Sequence, residues 1–305
     1  MTTDPDSWTV HPDIDFHETP ERTLSLDVYE PVADGPSPTV VLFYGGEFRE
    51  GDKERMAQPA AALAEEGYVV VTPNYRLSDE ATFPAALIDA KAAVEWCRAE
   101  GEGYGIDSRR IATVGHSAGG NLATLVSVTA DEPGFEPEAY PGVSSAVQAA
   151  VGWAGVYDLA FPDGPDPECH VQYLGGTRED VPEAYEFASP MGQTDLQTPP
   201  TLVVHGDDDD ALPLDQARRY AESVDALTTG ELVVFEDAGH MFSMHALDRT
   251  VAVTVEFLGR NLPGATVDDT TGVSGPESGR PGGDFDDRVG GPGPGQPPGG
   301  GPTEQ

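Results

Sequence analysis

The chain has 305 residues, enough for one large core, since α/β folds of roughly 200 to 250 residues are routinely single units. Acidic residues outnumber basic residues by 54 to 16, and the formal net charge of −38 argues against nucleic acid or an anionic membrane as a partner. The 2 cysteines exclude a disulfide framework and lack the spacing of metal ligands.

The amino-terminal segment, residues 1–21, is polar and is predicted to be an extended lead-in. Its first residues include acids where a signal peptide has a basic region and an apolar core. No stretch of the chain approaches the roughly 18 apolar residues of a membrane span. We therefore expect a cytoplasmic protein with no membrane partner.

Apolar runs of two kinds predict the first strands. Residues 22–29 alternate apolar and polar side chains, as a half-buried edge strand does, whereas residues 39–43 and 68–72 are continuously apolar. Continuous runs are typical of strands that are buried on both faces of a parallel sheet. Helical spacing is found in segments 56–66 and 83–99. We expect an α/β fold, with a mostly parallel central sheet and helices on both faces.

A Gly-x-Ser-x-Gly turn, residues 115–119, follows the next predicted strand and precedes an Ala/Leu-rich helical segment. This order is what a nucleophile elbow needs, because Ser117 must occupy a sharp, strained turn whose flanking glycines let neighbouring backbones pass. The helix that begins at Ala118 then directs free amides and its positive end at an oxyanion beside Ser117. We predict that Ser117 is a nucleophile.

The regular alternation of strands and helices breaks between residues 154 and 200. Prolines divide this segment into short pieces, so we expect a short cap insertion within residues 154–200 rather than part of the sheet. The alternation then resumes with strands at 201–204 and 231–235 and a closing helix at 247–262. Gly and Pro dominate residues 263–305 without a three-residue period, which predicts a disordered tail. The expected catalytic domain therefore spans residues 22–262.

Two late loops carry the groups that Ser117 needs. Loops at the carboxyl ends of parallel strands open on the same edge of the sheet, where ligands bind. His240 follows the last predicted strand, and its imidazole titrates near working pH, so it is the candidate base. A carboxylate among residues 207–210 can hold the imidazole in the correct tautomer. In the same way, Gly45 and Gly46 can bring backbone amides to the substrate carbonyl.

Each of these residues also has a purely structural interpretation. A single late histidine is usually structural, four consecutive Asp residues on so acidic a chain usually face solvent, and a Gly-Gly pair can be an ordinary turn. Their joint occurrence after separate predicted strands favours the catalytic interpretation. Three other histidines are weaker candidates for the base: His116, which is expected to face away from the elbow, His205, and His245, which lies beyond the loop of His240.

Taken together, these motifs resemble the α/β-hydrolase superfamily. Within it, they are similar to hormone-sensitive-lipase-like carboxylesterases and to ferulic-acid-esterase-like and kynurenine-formamidase-like hydrolases. The resemblance covers residues 22–262, and its matching stretches are 26–31, 44–46, 51–53, 74–77, 83–85, 104–107, 115–120, 188–190, 205–206 and 239–240. It implies that Asp209 is the acid of the triad. It also implies an oxyanion hole formed by the backbone amides of Gly46, Glu47 and Ala118.

The chain departs from the family at the oxyanion loop. The family usually opens this loop with His and continues with a third Gly and Trp, whereas this chain has Tyr44, Glu47 and Phe48. A backbone amide survives a change of side chain, so Glu47 does not abolish the predicted hole. The Glu47 carboxylate would nevertheless disfavour a nearby oxyanion unless it points away or is paired.

The resulting prediction is a carboxylesterase-type serine hydrolase with a Ser117–His240–Asp209 triad, a small-molecule ester of small to medium acyl chain as substrate, and no metal or organic cofactor. One alternative is an arylformamidase or peptidase-type amide hydrolase that uses the same triad. A second is a non-catalytic binding protein on the same fold, and a third assigns the function to the Gly/Pro tail as a recruiter of a partner. The sequence predicts neither the oligomeric state nor the exact substrate, which depends on cap and pocket side chains.

Lysine is scarce among the basic residues. Lys53 and Lys91 are the only lysines, and arginine makes up the rest. An acidic chain that avoids lysine resembles cytoplasmic proteins of organisms that balance external salt with molar potassium, where charge repulsion is screened within a few ångströms. The alternative is an acidic mesophilic protein with an acidic tail.

Overall fold

The computed structural model describes residues 7–130, 132–160 and 167–262 of the chain. The predicted tail, residues 263–305, and the first six residues of the predicted lead-in lie outside these ranges. Within the described residues, no helix is long and apolar enough to cross a membrane.

The described strands form one eight-stranded, open sheet in the order β1-β2-β4-β3-β5-β6-β7-β8. β1 and β4 each run antiparallel to β2, and the remaining neighbours are parallel, which confirms the predicted α/β class. The strands are β1 (Trp8–Glu18), β2 (Thr23–Pro31), β3 (Ser37–Phe43), β4 (Val69–Pro73), β5 (Ile106–His116), β6 (Ala149–Trp153), β7 (Thr201–Gly206) and β8 (Gly230–Phe235).

Helices connect the strands and cover the sheet. α1 packs against α9, and α2 packs against α3. The helices are α1 (Ala57–Glu65), α2 (Ala85–Ala99), α3 (Ala118–Val128), α4 (Glu168–Leu174), α5 (Pro182–Phe187), α6 (Pro190–Gln193), α7 (Leu214–Asp225), α8 (Phe242–His245) and α9 (Leu247–Asn261). Short 3₁₀ turns occupy Lys53–Met56, Gly101–Tyr104 and Pro133–Phe135. The central strands β3 to β7 are buried along almost their whole length, except where β5 begins, as continuous apolar runs predict.

The amino-terminal segment corrects one expectation. Residues 8–18 are the edge strand β1, so β2, predicted to be the edge, is an inner strand. Register shifts between His11 and Ile14 and between Asp15 and His17 interrupt the pairing of β1 with β2. The sequence of β1 nevertheless carries the two-residue period of a strand, with apolar residues at positions 8, 10, 14 and 16, so the prediction of a lead-in outside the catalytic domain was wrong although the signal was present.

Both lysines of the chain are buried, with 5% of Lys53 and none of Lys91 exposed. The Lys53 ammonium lies 2.6 Å from the Asp27 carboxylate of β2 and 2.8 Å from the Asp13 carboxylate of β1, and so joins the two strands. The Lys91 ammonium donates to the carbonyl of Thr129 at 2.9 Å. The folded surface therefore carries arginine but no lysine.

Glu95 lies one turn beyond Lys91 on α2 and is 1% exposed. Neither of its carboxyl oxygens has a hydrogen-bond partner among the described residues. Burial, helped by the charge of Glu136, raises the pKa of Glu95 to about 8, against the opposing effects of Lys91 and Arg98. Because the folded chain holds this proton to a higher pH than the unfolded chain does, the contribution of Glu95 to stability falls as the pH rises from about 4.5 to about 8.

Replacing Glu95 by glutamine is expected to raise the melting temperature by several degrees at pH 9 and to change it little at pH 5. The reason is that glutamine has no proton to lose, and about 1 kcal/mol shifts the melting temperature of a chain of this size by about 2–4 °C. Thermal unfolding at both pH values measures the difference. Glu100→Gln, an exposed change at the end of the same helix, serves as the control. Equal melting temperatures for wild type and Glu95→Gln at pH 9 would contradict the expectation.

Candidate active site

Ser117 occupies the turn between β5 and α3 with φ 55° and ψ −119°. This left-handed region is unfavourable for a residue with a side chain, at a cost of roughly 1–3 kcal/mol. The Ser117 amide donates to the carbonyl of Trp153 at 2.9 Å, and the Asn121 amide donates to the carbonyl of Ser117 at 3.1 Å. Sheet and helix thus hold the strained residue from both sides.

The predicted glycines are required by close backbone approach. A Cβ on Gly115 would overlap the carbonyl of Gly119, and a Cβ on Gly119 would overlap the carbonyl of Phe43 in β3. A Cβ on Gly45 would lie only 2.9 Å from the Cβ of Ser117. Side chains at these positions would push the oxyanion loop and the elbow apart.

Three loops bring Ser117, His240 and Asp209 together. The Ser117 Oγ lies 3.0 Å from the His240 Nε2, and the His240 Nδ1 lies 2.8 Å from the Asp209 Oδ2. The Asp209 side chain is fully buried, whereas 19% of the His240 side chain is exposed. With Nδ1–H donating to the carboxylate, Nε2 is free to accept the serine proton. The other acids of the run, Asp207, Asp208 and Asp210, are exposed.

The Asp209 carboxylate is held by the backbone as well as by His240. The amides of Ala211 and Leu212 donate to its Oδ1 at 3.0 and 2.8 Å. Burial alone would raise the pKa of Asp209, but the hydrogen bonds from His240 and Leu212 outweigh it and hold the pKa below its usual value. Asp209 therefore stays ionised beside the imidazole.

The other candidate histidines lie apart from the Ser117 hydroxyl, and the position of His116 differs from the one predicted. His116 does not face away from the site: its Nε2 donates to the carbonyl of His240 at 3.0 Å, and the two rings lie 5.0 Å apart. Burial lowers the pKa of His116 to about 4, so this ring is neutral. His205 is fully buried with its Nε2 2.8 Å from the carbonyl of Leu212, while His245 is exposed on α8. The alternation of apolar residues along the sequence gives no signal for these side-chain contacts.

The predicted oxyanion loop, residues 44–50, folds back on itself. Gly46, Glu47 and Phe48 all have positive φ angles, of 144°, 57° and 59°. The amides of Arg49 and Glu50 donate to the carbonyl of Gly46 at 2.9 and 3.1 Å, which closes the turn. Gly46, Glu47 and Ala118 line the same cavity as Ser117, and Ala118 is the first residue of α3, where amides lack an intrahelical acceptor.

Tyr44, which stands where the family usually has His, points away from this cavity. Its ring stacks on Tyr75 with centroids 4.3 Å apart, and the Tyr75 hydroxyl donates to the carbonyl of Tyr44 at 2.8 Å. Tyr44 is fully buried. Tyr44 therefore belongs to the packing beneath the loop and is not part of the cavity wall.

A cavity of about 950 Å³ opens above Ser117 and His240. Its wall includes the apolar side chains of Val156 and Leu212 from two loops and of Met244 from α8, and residues of α4 from the predicted cap. Such a mixture of apolar wall and a few convergent polar groups is typical of small-molecule sites. Among residues 7–130, 132–160 and 167–262, no group of three or more His, Cys, Asp or Glu side chains could hold a metal ion.

Known proteins resemble this chain in both sequence and fold. The protein family described as BD-FAE matches residues 26–224. Esterase LipC of Mycobacterium tuberculosis is 30% identical over 237 residues, which cover 75% of this chain and 59% of LipC. The probable carboxylic ester hydrolase LipM of the same organism is 33% identical, with 74% of this chain and 54% of LipM covered. The chain thus spans a little over half the length of these relatives. A solved structure of the Thermogutta terrifontis esterase Est2 with bound butyrate has a TM-score of 0.72 and 25% identity, over 86% of this chain and 96% of Est2.

Proposed function

Because the chain belongs to the BD-FAE family and has the α/β-hydrolase fold, we propose that it is a serine hydrolase that cleaves carboxylic esters. The observation that carries this proposal is the hydrogen-bonded series from the Ser117 hydroxyl through the His240 imidazole to the Asp209 carboxylate. LipC and Est2 are named esterases and LipM is named a probable carboxylic ester hydrolase, which supports an ester as the bond that is cleaved.

In the proposed mechanism, the Ser117 Oγ attacks the ester carbonyl carbon while its proton passes to the His240 Nε2. His240 then gives this proton to the leaving alcohol oxygen as the carbon–oxygen bond breaks, which leaves an acyl-enzyme on Ser117. A water molecule then loses a proton to His240 and attacks the acyl carbon. His240 returns this proton to the Ser117 Oγ as the acyl bond breaks, which releases the acid and restores the serine hydroxyl. Asp209 holds the imidazole tautomer and stabilises the imidazolium in both halves.

The backbone amides of Gly46, Glu47 and Ala118 are proposed to receive the oxyanion of each tetrahedral intermediate. Gly46 and Glu47 approach from the loop after β3, and Ala118 approaches from the amino-terminal end of α3, whose dipole also favours negative charge. Removing one such donor typically costs about 10²- to 10³-fold in rate. The positive φ angles of residues 46–48 support this role, since strained backbone concentrates at functional sites.

The proposed substrates are esters of small to medium acyl groups. A cavity of about 950 Å³ has room for such an acyl group together with its alcohol. Turnover of short and medium p-nitrophenyl esters, beside an aryl formamide and an aminoacyl amide, tests the proposal. Rapid ester cleavage supports it. Fast formamide or amide cleavage with slow ester cleavage would instead favour the amide hydrolases, and a folded but inert protein would favour a binding role.

Glu47 is proposed to select against anionic acyl groups. Its side chain is exposed on the cavity wall, where a carboxylate repels a second negative charge. Glu47→Gln is expected to raise kcat/KM for a succinyl-type ester several-fold relative to a neutral ester of similar size. Steady-state kinetics with both esters measures the ratio, and Asp208→Asn, an exposed acid, serves as the charge-matched control. An unchanged preference would contradict this role.

The acidic surface without exposed lysine supports the proposal of a cytoplasmic protein that works in concentrated salt. Folding is expected to weaken in low salt, because 38 net negative charges then lose their screening. The melting temperature should rise by several degrees between about 0.1 and 3 M potassium chloride, over which the Debye length falls from about 10 Å to below 3 Å. Sodium chloride at equal ionic strength should act similarly if screening is the cause. A melting temperature indifferent to both salts would count against the proposal.

A further inference from the structure

One aromatic pair joins the oxyanion loop to the cap. Phe48 of the loop stacks face to face on Tyr173 of α4, with ring centroids 3.8 Å apart and planes inclined by 3°. Both side chains are 1% exposed. Tyr173 is fixed in turn by Phe83, whose ring meets it edge-on at 5.9 Å and whose amide donates to the carbonyl of Tyr173 at 2.8 Å. The cap thus presents a rigid surface to Phe48.

Phe48 adopts a backbone conformation that its side chain disfavours. Its φ angle of 59° follows the φ angle of 57° at Glu47, so two consecutive residues with side chains are left-handed. A bulky residue in this region is an outlier that persists only when its surroundings fix it. One hydrogen bond acts on Phe48 directly, from the Ser78 amide to the Phe48 carbonyl at 2.8 Å. The ring of Phe48 is held by the stack on Tyr173 within the hydrophobic core.

We propose that Phe48 and Tyr173 are positioning residues, and that their stack holds residues 46–48 in the conformation that presents the amides of Gly46 and Glu47 to the substrate oxyanion. The inference rests on the proposed function. Tyr173 does not line the cavity, so its effect on the reaction must pass through Phe48 and the loop backbone. The oxyanion hole is therefore complete only while α4 of the cap is in place.

Loss of the stack is expected to lower kcat strongly and to weaken substrate binding only slightly. A displacement of about 1 Å in a catalytic group can cost roughly 10²-fold in rate, and the amides act mainly on charge that develops in the transition state. Tyr173→Leu and Phe48→Leu should therefore each lower kcat for p-nitrophenyl butyrate by about 10- to 100-fold. KM should change by less than about threefold in Tyr173→Leu, because Tyr173, unlike Phe48, does not line the cavity. The affinity for a trifluoromethyl ketone, which binds serine hydrolases as an oxyanion adduct, should fall by a similar factor to kcat.

Matched variants separate this role from general destabilisation. Tyr173→Phe keeps the ring and removes only a hydroxyl that has no partner among the described residues, so it should restore kcat. Glu168→Gln removes the exposed partner of Arg49, 3.9 Å away across the same loop–cap boundary, and should leave kcat unchanged. The double variant Phe48→Leu/Tyr173→Leu should be no slower than either single variant, because both remove one stack. Rates are normalised to the folded fraction measured by circular dichroism.

Three results would overturn the inference: wild-type kcat in folded Tyr173→Leu, additive losses in the double variant, or an inhibitor affinity unchanged while kcat falls. If Tyr173→Leu does not fold, Tyr173→Met retains more bulk without a planar ring and carries the same expectation. The effect of Ser117→Ala on ester turnover does not depend on the results for the Tyr173 and Phe48 variants. Ester turnover that survives Ser117→Ala would overturn the proposed function itself, whereas an inactive Ser117→Ala beside a fully active Tyr173→Leu would overturn only the stack.

Discussion

Ser117→Ala is expected to lower ester turnover by about 10⁴- to 10⁶-fold, because alanine lacks the hydroxyl on which the proposed acyl-enzyme forms. Alanine leaves the strained turn in place, since the hydrogen bonds that hold it, to Trp153 and from Asn121, use only the backbone of residue 117. The fold and the cavity should therefore survive. Residual activity would then report what the oxyanion amides and binding contribute without a nucleophile.

Steady-state kinetics on p-nitrophenyl butyrate and thermal unfolding of the same samples measure this expectation. Ser127→Ala is the matched control, because Ser127 is a buried serine of α3, the helix that follows Ser117. In the contacts described, its hydroxyl bonds only to the carbonyl of Thr124. The control should retain turnover close to wild type. A folded Ser117→Ala variant that keeps more than about a tenth of the activity would be incompatible with an acyl-enzyme on Ser117.

Asp209→Asn is expected to reduce kcat by about 10⁴-fold with little loss of stability. An asparagine amide can donate to the His240 Nδ1, which selects the tautomer with its proton on Nε2. That nitrogen then cannot accept the proton of Ser117, 3.0 Å away. The asparagine oxygen can still accept from the amides of Ala211 and Leu212, so the loop after β7 should keep its shape.

The neighbouring acid supplies the control for this experiment. Asp210→Asn removes the same charge from an exposed position one residue along the chain and should change kcat less than twofold. Comparable losses of kcat in Asp209→Asn and Asp210→Asn would mean that residues 207–210 act only through their combined negative charge and not through a specific hydrogen bond to His240. A loss below about tenfold in Asp209→Asn would contradict a tautomer-holding role.

The parts of the fold that could be predicted are those marked by a regular pattern of apolar residues in the sequence. Continuous apolar runs at residues 39–43 and 68–72 predict inner strands because both faces are buried, and the structure confirms them as parts of β3 and β4. The candidate site follows from the same pattern, since each reactive residue stands in the loop after a strand and parallel strands end at one edge. The structure brings Ser117, Asp209 and His240 within hydrogen-bonding distance at that edge.

The parts that could not be predicted depend on contacts between distant residues. The two-residue period of β1 is present in the sequence, at positions 8, 10, 14 and 16, whereas its pairing with β2 at the edge of the sheet is not. The position of His116 against His240 depends on a pairing 124 residues apart, for which one sequence holds no signal. The stack of Phe48 on Tyr173 likewise joins a loop to a cap whose proline-broken sequence has no period to interpret.

The burial of Lys53 and Lys91 has a consequence for the chemical reactivity of the folded chain. With 5% and 0% of these residues exposed, neither ε-amino group is open to an acylating reagent while the fold is intact. Each amine becomes reactive only when its own part of the structure opens: Lys53 when β1 separates from β2, and Lys91 when α2 lifts from the segment around Thr129. Two lysines placed in this way act as built-in reporters of local unfolding at two separate positions.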